Sequence, residues 1–227
     1  MRFPIALTLT NLLAAASLGA QAPAAPLQAP PASAFMMARD AELALARTAA
    51  PAAITSHATL ETLTPTGYTV AQQGDNGFTC LVLRGWSAPT FTPAPFRALI
   101  HDATVRAPIC YNPAASRTVL VLQEVRTRLG MAGKSAEEIA DGVQAAYARG
   151  EIPSMDGVGF AYMFSAIQNL GPGIGAFHPH VMVFAPYHEN AMLGNNAFGG
   201  PLPFVSDDAG TPFSVTVIPV DHALAVR

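Results

Sequence analysis

Residues 116–150 read S-R-T-V-L-V-L-Q-E-V-R-T-R-L-G-M-A-G-K-S-A-E-E-I-A-D-G-V-Q-A-A-Y-A-R-G. Apolar positions Val119, Leu122, Val125 and Leu129, with Arg126 among them, recur at helical spacing and predict a helix over Ser116 to Leu129. Ser135-Ala-Glu-Glu138 is a capping box, and Ile139, Val143, Ala146 and Tyr147 form the stripe of a second helix that stops at Gly150. The charges of this pair read as a solvated face, with no basic groove among them.

On both sides of the helical pair the pattern is strand-like. Upstream, His57 to Leu63, Tyr68 to Gln72 and Phe78 to Leu83 form short runs punctuated by Thr64-Pro-Thr-Gly67 and by Gly74-Asp-Asn-Gly77, which predict a meander. In the third run Phe78, Cys80 and Val82 share one face and Thr79, Leu81 and Leu83 the other, so this strand is central. Residues Gly85 to Asn112 are proline-rich, contain the single tryptophan, Trp86, and read as a long surface crossing. Downstream, Gly157 to Ile167, His178 to Ala185 and Ser214 to Val220 are the remaining strands. The expected fold is α+β: a mainly antiparallel sheet of about six strands, the central helical pair, and an N-terminal helix over Ala34 to Ala50, capped by Ser33 and stopped by Pro51.

Of the 227 residues 51% are hydrophobic and 12% charged, against roughly 25% charged in an average soluble domain. Such a chain has ample apolar surface to bury, which excludes general disorder. The formal charge of −3 supplies no positive field for phosphate backbones, so nucleic acid is not an expected partner.

The first 22 residues have the layout of a secretory signal peptide. Arg2 precedes an apolar run with Leu7, Leu9, Leu12 and Leu13, and small residues offer cleavage after Ala20 or Ala22. The run is broken by Pro4, Thr8, Thr10 and Asn11 and falls short of the ~20 apolar residues of a spanning helix, so no stable membrane span is expected after processing. Residues 23–33 read as an Ala/Pro linker and 34–227 as one globular domain. Export to the periplasm or beyond makes Cys80 and Cys110 an expected disulfide rather than a metal or catalytic pair.

The chemistry concentrates between Gly173 and Gly194, G-I-G-A-F-H-P-H-V-M-V-F-A-P-Y-H-E-N-A-M-L-G. If the strand runs from His178, the imidazoles of His178 and His180 aim into the same space. His188, Glu189, His222 or His101 would then complete an open Zn, Cu or Fe site. The alternative is a pair of structural histidines bonded to neighbouring loops, since Pro179 marks a strand start or edge. The glutamate that the cupin pattern requires shortly after the second His is absent. Met36-Met37 suits soft copper but also the core face of a helix, and Asp207-Asp208 suits Ca²⁺ but also a solvated turn. No G-x-S-x-G elbow surrounds Ser154 or Ser165, and the glycines at 171, 173 and 175 lead into a strand rather than a phosphate-binding helix.

Several segments together, N-G-F-T-C at Asn76 to Cys80, P-x-C-Y at Pro108 to Tyr111, G-F-A-Y-M at Gly159 to Met163, P-H-V-M-V-F-A-P at Pro179 to Pro186 and V-I-P-V at Val217 to Val220, resemble a family of exported bacterial proteins without an established activity. The resemblance implies export and carries over no catalytic residue. The sequence therefore leads to a protein that binds a small ligand or a metal in a pocket bordered by His178, His180 and the loop from Tyr187 to Gly200. A metal-dependent hydrolase or oxidoreductase using the same histidines, with Glu189 as acid or base, is the second reading, and a structural or interaction module of the cell envelope the third.

Overall fold

The computed structural model describes residues 29–86, 101–155, 157–171, 174–206 and 208–227. The signal peptide, most of the linker, the middle of the proline-rich crossing, Gly173 and Asp207 lie outside the described residues. The strands are β1 (Thr59–Thr64), β2 (Gly67–Gln72), β3 (Thr79–Leu83), β4 (Ala107–Tyr111), β5 (Gly159–Met163), β6 (His180–Phe184), β7 (Phe204–Val205) and β8 (Val215–Pro219). They form one open sheet in the order β2-β1-β3-β4-β5-β6-β8-β7, with every pairing antiparallel except β1 with β3. The fold is α+β, as expected, but the sheet has eight strands rather than about six. The two additional ones are β4, where Pro108 weakens the strand signal, and β7, whose two residues are too few to show a period.

The expected meander is replaced by a crossover. Gly74 lies against the His57–Ala58 backbone so closely that a Cβ would meet Ala58 at 2.2 Å, and the Asp75 amide donates to the His57 carbonyl. The chain thus passes over the start of β1 and lays β3 beside it in parallel, leaving β2 at the edge. Every residue of β3 is buried, consistent with its central place.

Helices cover both faces. α1 (Arg39–Arg47) lies over β1, β3 and β4, where Leu43, Ala49 and Ala50 pack with Leu60 and the Cys80–Cys110 disulfide. Cys80 and Cys110 are directly opposed in the β3–β4 ladder. The N-terminal helix begins later than the sequence suggests: Ala32–Phe35 is a single 3₁₀ turn, because Phe35 is held in place by stacking on Trp86 at 4.0 Å and by the Arg84 guanidinium on its carbonyl. Short helical turns α2 (Ala52–Thr55) and α3 (Pro113–Ser116) follow, the latter capped by the Asn112 side chain.

The opposite face carries α4 (Val119–Met131) and α5 (Ala136–Ala148). Both halves of the Ser135–Glu138 capping box form, as the sequence predicts, while Ser116 belongs to the preceding turn rather than to α4. By strand alternation Leu81, Ile109, Tyr111, Met163, His180, Met182, Phe184, Val215 and Val217 face this side, and most of them join Val119, Leu122, Val125, Ile139 and Val143 in the main core. Among the described residues no helix is long and apolar enough to cross a membrane.

Candidate functional site

Between α4 and the β4–β8 part of the sheet the packing leaves a cavity of about 130 Å³. Its walls are mainly apolar, from Ile109, Met163, Met182, Phe184, Phe213 and Val217, and Phe198 stands at its mouth, half exposed and edge-on to Phe204. Polar side chains enter it at Tyr111, Gln123, Arg126, His180, Ser206 and Asp208. This balance of apolar walls and few polar groups is that of a small-molecule pocket.

Tyr111 comes from β4, and its side chain is fully buried. Among the described residues its hydroxyl has no hydrogen-bond partner, and burial pushes the phenol above its ordinary value, so it remains a protonated donor. A buried hydroxyl without a partner costs on the order of 1–3 kcal/mol. His180, the first residue of β6, is 3% exposed. Its Nδ1 donates to the His178 carbonyl at 2.8 Å, which leaves Nε2 as the acceptor nitrogen of a neutral ring. Burial pushes its pKa down to about 4, so the ring is neutral at pH 7.

Arg126 and Asp208 supply the charges. Arg126 projects from α4 with 4% exposure, Asp208 is equally buried, and Nη2 lies 3.8 Å from Oδ2. The Gln123 side chain accepts from the same guanidinium at 3.3 Å. Asp208 sits in a left-handed turn, φ 51°, whose carbonyl accepts from Thr211 and Ser214. Both findings correct the sequence reading, which placed the helix charges on a solvated face and Asp208 in a solvated turn.

The histidines are dispersed. β6 begins at His180, so alternation does not extend back across Pro179. His178 packs its ring against Phe177 and His222, outside the residues that line the cavity. His188 meets Thr216 at 3.5 Å, and Thr216 faces the other side of β8 from the cavity-lining Val215 and Val217. Glu189 is exposed beside Gly210. His101 accepts from the Trp86 indole and donates to the Lys134 carbonyl, which occupies both ring nitrogens. Among the described residues no three His, Cys, Asp or Glu side chains come together in an arrangement able to hold a metal ion. Met36 packs beside Phe35 and Trp86, and Ser165 is tied to the Thr48 hydroxyl.

Of the expected site residues, then, His180 alone reaches the cavity. Tyr111, Gln123 and Arg126 were missed, although Arg126 left a signal: it is a charged residue on the apolar stripe of its helix. Glu61 on β1 is a second missed group, 7% exposed and, among the described residues, with no partner for Oε2. Burial, reinforced by the Glu124 carboxylate, raises it to about 7. The chain matches no family model, no curated protein and no solved structure, so its chemistry is read from its own side chains.

Proposed function

We propose that this protein binds a small, mainly apolar molecule in the cavity between α4 and the sheet. The observation that carries the reading is a cavity of about 130 Å³ with mainly apolar walls and few polar side chains at its lining. An engineered cavity of about 150 Å³ holds benzene, so the space suits a single ring, with room for substituents at the Phe198 mouth.

Export belongs to the same proposal. The Cys80–Cys110 bond suits an oxidising compartment, and fractionation with N-terminal sequencing of the mature chain tests it. A metal-dependent reaction has less support, because the expected ligand set is divided between the cavity, the opposite face of the sheet and the surface.

Thermal denaturation with and without benzene tests the binding reading. The midpoint should rise with benzene in the natural protein and stay constant in Val217→Phe, which fills the space. An equal response in both would place any binding elsewhere and overturn the proposal.

A further inference from the structure

Strand pairing gathers three soft side chains on one patch of the cavity wall. Met163 of β5 and His180 of β6 are directly opposed in the antiparallel ladder, and Met182 follows His180 by two residues on the same face. All three line the cavity. Opposed Cβ atoms lie about 4.5–5.5 Å apart and diagonal ones about 7–8 Å, so two flexible thioether side chains and an imidazole can converge on one ion. None of the three is sealed: His180 is 3% exposed, Met163 4% exposed, and Met182 half-buried.

The imidazole is held as a metal ligand is held. Its Nδ1 donates to the His178 carbonyl at 2.8 Å, and the Phe177 ring stands edge-on to it at 5.1 Å, which leaves Nε2 as the ligating nitrogen. Metal-bound histidines commonly donate their second N–H to a backbone carbonyl in this way. The donor set selects the metal. Two thioethers and an imidazole carry no negative charge, so a divalent ion would be buried without an anionic ligand, whereas soft sulfur ligands favour Cu(I). Both cysteines are joined in the Cys80–Cys110 disulfide, so no thiol competes for a soft ion.

We propose that Met163, His180 and Met182 form a binding site for a soft monovalent cation, Cu(I). Thioethers from two paired strands take the places for which the sequence offered further histidines, and the site does not rest on the apolar-ligand reading.

Ag(I) shares the charge and filled d shell of Cu(I) and needs no reductant that would open the disulfide, so it is the probe. Titration of the full chain with Ag(I), followed by NMR of the methionine methyl groups, should show the Met163 and Met182 signals moving together and saturating at one equivalent. Met163→Leu and Met182→Leu, which conserve volume, should each weaken binding at least about tenfold, since loss of an outer-shell partner alone costs that much. Met192→Leu, which alters an exposed methionine, should leave the affinity unchanged, and Zn²⁺ in excess should not displace the silver. Saturation without movement of the Met163 and Met182 signals, unchanged affinity in both of their leucine variants, or displacement by Zn²⁺ overturns the inference, as does the lack of a stoichiometric silver site. Should either leucine variant fail to fold, the methyl signals of the natural protein decide the matter.

Discussion

Two buried arginine–carboxylate pairs in this molecule are built to different standards. On one face Arg84 meets Glu42 of α1 at 2.6 Å with both side chains fully buried. Glu42 also accepts from the Leu63 amide, and Arg84 donates to the carbonyls of Phe35 and Val82. On the other face Arg126 and Asp208 stand 3.8 Å apart at the wall of a cavity. The first pair ties α1, β1 and the end of β3 through short bonds to backbone. The second borders the cavity.

Removing one partner from each pair is the sharpest way to break the comparison. Arg84→Met leaves Glu42 buried without its cation and should cost about 3–5 kcal/mol, read as a fall in the urea midpoint. Reduction of the Cys80–Cys110 bond, which links residues 30 apart on the same face as the Glu42 pair, should cost about 3–4 kcal/mol in the chain-entropy model, visible in urea titrations with and without reductant. Either loss close to zero would remove the structural role assigned to that face.

The pH dependence of stability sharpens the contrast further. Glu61 is raised from 4.5 to about 7, so the native state holds its proton more tightly than the unfolded chain does. Its contribution, about 3 kcal/mol, is present below pH 4.5 and lost as pH rises through 7. His180, lowered from 6.5 to about 4, acts in the opposite sense: its contribution is present above pH 6.5 and lost as pH falls through 4. Between pH 4.5 and 6.5 the two slopes oppose each other. Urea midpoints of Glu61→Gln should therefore rise more steeply with pH across that window than those of the natural protein. A flat profile in the variant would refute the assignment. The smallest effect is expected at the cavity pair, where Asp208→Asn keeps a polar side chain beside the buried Arg126 guanidinium and should lower stability by about 2 kcal/mol, under the Arg84→Met loss in the same titration.

Much of the scaffold was legible because it rests on local rules. The Ser135–Glu138 capping box, the apolar stripe of α5 and the two-faced burial of β3 follow from spacing that three or four neighbouring residues set. The Cys80–Cys110 pairing followed from cysteine arithmetic and compartment. What failed was whatever depended on distant contacts. β4 was hidden by Pro108, and it is a strand because β3 and β5 flank it. The start of α1 was misplaced because Phe35 is claimed by Trp86 and Arg84 rather than by its own helix.

The histidine pair shows the same division at the site. Its sequence spacing promised one shared space, yet the direction of each ring depended on where β6 begins, and pairing with β5 and β8 sets that at His180. The sequence alone determined the α+β class, the disulfide partners and the central strand, since composition and short-range periodicity carry that information. Only the tertiary structure decided that Tyr111, Arg126, His180 and Asp208, from four separate parts of the chain, border one cavity, because burial and side-chain direction arise from packing between distant elements.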